Sequence, residues 1–157
     1  MEIGKTILEE YCAMREEAKD LRERIEEGEK YLRAMQEEGY QVSDSVKGTR
    51  SDGTIGQIKV TGFPLPEYER IKNMTKKRIA KLKILEDDML EALNQVDDFI
   101  AQIPKSELRM MFRFYYLDDM TWFQVANNMN SIFPKKRIKY TDVSCRKRHD
   151  RFLEKIL

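Results

Sequence analysis

From Ile7 to Met35 the chain keeps one beat. Ile7, Tyr11, Met14, Ala18, Leu21, Ile25, Gly28, Leu32 and Met35 are separated alternately by four and three residues, the period that holds a single stripe of a helix against a partner helix. A helix from about Ile3 to Glu38 follows from this spacing. Between the apolar positions lie charged clusters, Arg15 to Lys19 and Arg22 to Lys30, which form pairs four residues apart and keep the outer face in water. Gly28 falls on the seam and weakens the helix by about 1 kcal/mol relative to alanine. It serves either a close backbone approach or a slight bend, or it is simply tolerated.

Gly39 ends this pattern, and residues 39–66 have another texture, with glycines at 48, 53, 56 and 62 and prolines at 64 and 66. Such residues punctuate turns, while Ile58 and Val60 alternate with Lys59 and Thr61 as a strand would. A linker with a short β-hairpin within 40–65 is expected. Lys47 and Gly48 do not form a phosphate loop, which needs its lysine directly after a glycine run at a helix start. A second long helix is predicted from Pro66 or Glu67 to Ile103, where proline suits the first turn. Its seam is Ile71, Thr75, Leu82, Leu85, Met89, Ala92, Val96, Phe99 and Ile103. Two seams joined by such a linker predict an antiparallel helical hairpin, and pairing between two chains is equally open on geometry. Lys76, Lys77, Arg78, Lys81 and Lys83 crowd the first half of the second helix. They sit either beside the acidic first helix or against a nucleic acid.

The 157 residues, 41% hydrophobic and 36% charged, suit long helices with narrow apolar seams rather than a large spherical core. No run approaches the roughly 18 apolar residues of a membrane span, and Met1 to Leu8 lacks the basic and apolar regions of a signal peptide. A cytoplasmic location with no membrane partner is expected. Cys12 and Cys145 lie far apart in different predicted helices, which fits reduced, packed thiols. The net charge of +1 conceals a gradient: residues 1–38 carry 7 Lys/Arg against 12 Asp/Glu, and residues 104–157 carry 12 against 6. The basic end has the electrostatic footprint of a phosphate-backbone binder.

That end reads as three short helices. Leu108, Met111, Phe112 and Tyr115 recur at helical spacing, Leu117 to Met120 break the pattern, and Trp122, Val125, Ala126 and Met129 resume it. Ser106 is the expected cap of the first helix, and Asp118, Asp119 and Thr121 mark the turn into the second. Trp122 is expected to be buried against Phe112 and Tyr115 or Tyr116. In the last helix Cys145, His149, Phe152, Leu153 and Ile156 fall within one arc and face inward. Ser144, Lys147, Arg148 and Arg151 then point outward, with Arg146 on the flank. A recognition helix places such residues in the major groove, where Arg and Lys bond guanine and Ser bonds phosphate. His149 reads as a packing residue, since neither a metal ligand set nor a catalytic triad can be built around it. No paired acid, nucleophile with its base, or metal spacing is evident, so a non-enzyme without cofactor or metal is expected. One feature departs from a compact helix-turn-helix, whose turn takes about 3 to 4 residues. Asn130 to Tyr140 interpose a longer connector carrying Lys135, Lys136, Arg137 and Lys139. It is either a wing gripping phosphate or a solvated insert.

The run Glu107 to Asn130, then Ser144 to Leu157, resembles the helix-turn-helix of sigma-70 region 4. It is more closely similar to a group of phage and prophage transcriptional regulators, the RinA/ArpU-like group. The stretch Ser43 to Lys72 adds to the likeness, through Asp44–Gly48 (DSVKG) and the Gly62-Phe63-Pro64 turn. So do Trp122–Ala126 (WFQVA) and Arg148–Leu153 (RHDRFL). The resemblance implies control of phage late genes through promoter DNA, with RNA polymerase as a further partner, and by position it assigns Arg146, Lys147, Arg148 and Arg151 to the recognition helix.

The combined expectation is an all-α chain: residues 1–103 a coiled-coil hairpin with its linker at 39–66, and 104–157 a sigma-70 region 4-like helix-turn-helix domain. The function expected is sequence-specific binding of double-stranded DNA in transcription regulation, with the coiled coil setting a homo-oligomer. Two alternatives remain open: a phage small terminase subunit, which also joins coiled coil to helix-turn-helix, and a coiled-coil interaction module that binds no DNA.

Overall fold

The computed structural model describes residues 2–37, 42–49, 55–62 and 65–155. It is helical apart from one two-stranded ribbon. In chain order the elements are α1 (Glu2–Glu37), β1 (Val42–Thr49), β2 (Ile55–Gly62), α2 (Leu65–Ala101), α3 (Ser106–Phe112), α4 (Trp122–Ile132) and α5 (Asp142–Lys155). A single π-helical turn, Arg113–Leu117, prolongs α3. The two long helices α1 and α2 form the N-terminal helical hairpin. β1 and β2 pair antiparallel, Val42 opposite Gly62 and Thr49 opposite Ile55.

The chain divides into two compact units, one made of residues 1–17 with 86–157 and the other of residues 18–85. The boundary read from the sequence at 103/104 therefore falls inside the first unit. The cause is the first two heptads of α1: Leu8 and Tyr11 are buried in the same core as Val96, Ile100, Met111, Phe112, Val125 and Met129.

In the second unit the predicted seams are the buried stripes. Ala18, Ile25, Gly28 and Met35 of α1 are buried, and so is Thr75 of α2, with Ile71, Leu82 and Leu85 half-buried. Gly28 lies against Thr75, and eight residues further along α1 the Gln36 side chain donates to the Tyr68 hydroxyl at 2.5 Å. Moving forward on α1 moves backward on α2, so the helices run antiparallel. Gly28 has a reason: a Cβ there would strike the Thr75 Oγ1, so glycine permits a close helix approach. Among the described residues the Thr75 hydroxyl, although buried, has no hydrogen-bond partner.

In the first unit the seam of α1 keeps Tyr11 but shifts by one residue on either side of it. Gly4, Leu8 and Tyr11 are buried, with Ile7 only partly so, and Arg15 occupies the next inward position beside Met14. The Arg15 guanidinium donates to the Tyr116 carbonyl and pairs with Asp119 at 3.1 Å. An arginine on a seam is invisible to hydrophobic counting, which steps to Met14 instead. It belongs here because the π-helical turn and the residues after it offer a carbonyl and a carboxylate at that height.

The corner between α2 and α3 is set by Arg109, whose guanidinium donates to the carbonyls of Ile103 and Pro104, at 2.5 and 3.2 Å, and to the Ser106 hydroxyl at 2.7 Å. Helix ends leave carbonyls unpaired, and a cation in the next turn satisfies them. Ser106 is thus the first residue of α3 rather than its cap; Lys105 stands at the cap with no side-chain bond.

Phe112 is the centre of the aromatic core, fully buried, with ring centroids of His149, Phe152 and Tyr116 at 4.9, 5.6 and 5.7 Å. Burial of a ring of this size stabilises by about 1.5 to 3 kcal/mol. Trp122 is half-buried and stacks on Tyr115 at 4.1 Å and 9°, with His149 at 4.9 Å. Its expected partner Tyr115 is found, whereas Phe112 lies behind His149.

Candidate functional site

The basic C-terminal end takes its shape from two helices that start in the same way. At α4 the Thr121 Oγ1 accepts from the Gln124 backbone, and the Gln124 side chain accepts from the Thr121 backbone. At α5 the Thr141 Oγ1 accepts from the Ser144 backbone at 3.0 Å, while the Ser144 hydroxyl accepts from the Thr141 backbone at 2.9 Å and lies 3.0 Å from its carbonyl. Such reciprocal capping satisfies two orphan N–H groups and fixes where each helix begins. Asp142 adds a negative charge to the first turn of α5, where the helix dipole favours it. Ser144, read from the sequence as an outward residue, is therefore a capping residue whose hydroxyl is spent on the helix start.

The faces of α5 are otherwise close to the expected ones. Cys145, His149 and Leu153 are buried, and Phe152 is half-buried; Ile156 lies outside the described residues. Arg146, Lys147 and Arg151 are exposed. Arg148 departs from the outward set: it is half-buried and its Nη1 lies 3.4 Å from Glu107. Both cysteines are free thiols, and burial pushes each of them up.

The connector between α4 and α5 runs from Phe133 to Thr141, shorter than the sequence indicated because α4 continues to Ile132. It is tied at several points. Asn130 clasps the backbone of Tyr140 in both directions, donating to its carbonyl at 2.9 Å and accepting from its N–H at 2.8 Å. The Tyr140 ring is buried, and Lys136 lies over it, 4.5 Å from the centroid. Glu107, on the first turn of α3, accepts from Lys136 at 2.8 Å and from the Tyr140 hydroxyl at 2.5 Å. These two bonds and the neighbouring cations hold its carboxyl down at about 2. The same bonds to Glu107 and Tyr140 push Lys136 up. Lys136 is thus a surface strut between the connector and α3. Lys135, Arg137 and Lys139 are exposed, although Lys139 reaches back to the Pro134 carbonyl at 2.7 Å. Ile138, 79% exposed, stands among these cations.

His149 is the packing residue the sequence indicated. Its Nδ1 lies 2.9 Å from the Asp150 carboxylate and its Nε2 lies 2.6 Å from the Tyr116 hydroxyl. A neutral ring with its proton on Nδ1 satisfies both, donating to Asp150 and accepting from Tyr116. Burial lowers its pKa, opposed by Asp150, and burial raises that of Tyr116. Both shifts favour the uncharged forms of the pair.

The structure brings Arg146 and Lys147 to the exposed face of the first half of α5 and places the connector cations Lys135, Arg137 and Lys139 on the segment leading into it. Reasoning from sequence missed Glu107, Asn130 and Thr141. For Thr141 a signal existed, the repetition of a threonine before each helix; for Glu107, 29 residues from Lys136 and 41 from Arg148, there was none. Among the described residues no helix is long and apolar enough to cross a membrane, and no group of three His, Cys, Asp or Glu is placed to hold a metal ion. No protein-family model, curated protein or solved structure matches the chain.

Proposed function

We propose that the chain is a DNA-binding transcription regulator, in which α4 and α5 act as a sigma-70 region 4-like helix-turn-helix and the helical hairpin sets the oligomer. The observation that carries this reading is the two-sidedness of α5. One face is buried through Cys145, His149 and Leu153, and the other presents Arg146 and Lys147 to solvent on its first turns. A helix anchored in this way can lay its N-terminal half in a major groove, where arginine and lysine bond guanine. Lys135, Arg137 and Lys139 grip backbone phosphates without reading sequence. Ser144 and Arg148 hold the reading helix in place. The likeness to phage regulators supplies the promoter class, late genes, and RNA polymerase as a second partner.

The test is selection of bound sites from random duplex DNA, followed by anisotropy titrations of the selected and scrambled duplexes at about 50 and 200 mM salt. Arg146→Ala and Lys147→Ala are expected to erase the preference for the selected site. Lys135→Ala and Arg137→Ala weaken both duplexes alike and flatten the salt dependence. No binding to any duplex at low salt would sink the reading in favour of a pure interaction module, and rings of eight or more chains in solution would favour the packaging adaptor.

A further inference from the structure

A second cationic feature lies away from the reading face of α5. A cleft of about 430 Å³ opens between the corner that joins α2 to α3 and the last turns of α5. Its rim carries Lys105, Arg148, Arg151 and Lys155, and its floor includes Leu108 and Phe152. Among the described residues no carboxylate lines it. The acidic residues of the same stretch of α5, Asp150 and Glu154, line a different depression, together with Lys5 and Glu9. An ordinary solvated helix intersperses its signs, so that neighbours four residues apart attract. Here Arg148, Arg151 and Lys155, at spacings of three and four, form one positive stripe. Among the described residues no carboxylate pairs with Lys105, Arg151 or Lys155. Glu107 reaches Arg148 only from the side of α3, through one of its guanidinium nitrogens.

We propose that this cleft is a phosphate-group site and, resting on the DNA-binding reading above, that its occupant is a backbone phosphodiester of the duplex whose bases face Arg146 and Lys147. The Arg151 guanidinium fork suits the bidentate geometry of phosphate oxygens, Arg148 adds the guanidinium nitrogens that Glu107 leaves open, and the two ammonium groups add charge without directional demands. The apolar floor excludes water from one side and strengthens each of these attractions. The ligand class follows from what is missing on the lining. Its one aromatic ring, Phe152, is half-buried and packs against Phe112 and Phe99 with centroids at 5.6 and 6.4 Å, so the lining sets four cations against a single, partly covered ring. A site for single-stranded nucleic acid combines charge with stacking platforms; charge alone suits the phosphate backbone of a duplex. Lys105 and Lys155, which the sequence did not single out, join Arg151 in holding the protein on DNA, and Arg151 leaves the set that reads bases.

The test uses the full chain and the triple variant K105Q/R151Q/K155Q. These three side chains are exposed, so the variant keeps its fold, which circular dichroism checks. Two measurements are made: the shift in thermal midpoint caused by pyrophosphate over sodium chloride of equal ionic strength, and the salt dependence of binding to a random-sequence duplex. Pyrophosphate is expected to raise the midpoint of the parent chain by several degrees and to leave the triple variant unmoved. The variant is expected to bind all duplexes more weakly by the same factor, with the slope of log affinity against log salt reduced by about one. An equal pyrophosphate shift in parent and variant overturns the site. A lost shift with an unchanged salt slope overturns the duplex as its occupant. A parent chain that binds no duplex, yet shows a pyrophosphate shift that the variant abolishes, sinks the DNA-binding reading and upholds the phosphate site.

Discussion

The Glu107 carboxylate lies 2.8 Å from the Lys136 Nζ, and the same carboxylate oxygen takes the Tyr140 hydroxyl and the Arg148 guanidinium. One side chain on α3 thereby fixes both the connector and the helix that follows it. Glu107→Ala is expected to destabilise the protein by about 1 kcal/mol, toward the low end for a charged network because the carboxylate is partly open to solvent. Its folded pKa, about 2, lies below the ordinary 4.5, so its contribution is whole above pH 4.5 and is lost as the pH falls toward 2. Thermal midpoints of parent and variant should differ at pH 6 and converge near pH 2. A constant difference across that range would refute the role of the charge.

His149 predicts a loss of stability in a separate window. Its folded pKa is depressed below 6.5 by burial, so an unfolded chain takes up a proton first as the pH drops. Stability is therefore full above about pH 6.5 and declines below it. Nuclear magnetic resonance titration of the ring should give a midpoint under 6.5. In His149→Gln the decline of the thermal midpoint just below pH 6.5 should vanish.

The Gly28–Thr75 contact predicts a change of sign. Alanine at 28 gains about 1 kcal/mol of helix propensity, but its Cβ would strike the Thr75 hydroxyl, and overpacking costs about 1 to 3 kcal/mol. Gly28→Ala alone should destabilise. In a Thr75→Ala background the obstacle is gone and the same substitution should stabilise, so chemical denaturation of the four chains of the cycle would reveal a coupling above about 1 kcal/mol. Additive effects would exclude the close approach.

Asp119 has φ 55°, a left-handed conformation, and pairs with Arg15. Both alanine and glycine lose the side-chain interactions of Asp119, but alanine adds backbone strain of about 1 kcal/mol that glycine avoids. Asp119→Gly should therefore unfold at higher denaturant than Asp119→Ala. The reverse order would show that the backbone is not strained there.

The parts of this fold that were legible in the sequence are those governed by period. The seam of α2 from Ile71 to Ile103, that of α1 from Ala18 onward, and the inward arc of α5 follow from apolar spacing alone. What spacing cannot register is a polar group used inside. Arg15 on the seam, Ser144 in a cap and Arg148 bound to Glu107 all look like surface residues in sequence, and each is defined by a partner elsewhere. The same limit hid the cleft: Lys105 and Lys155 are 50 residues apart, and only the corner set by Arg109 brings α3 beside the end of α5.

The first compact unit draws on both ends of the chain, with Leu8 and Tyr11 seated in one core with Val96, Ile100 and Phe112. A chain severed between β1 and β2 would therefore not fall into two independent pieces. The first fragment carries Leu8 and Tyr11 and the second the rest of that core, so neither folds fully until it finds the other. Once joined, they would migrate as one particle without a peptide bond between them. The protein is, in this sense, already written as a complementing pair.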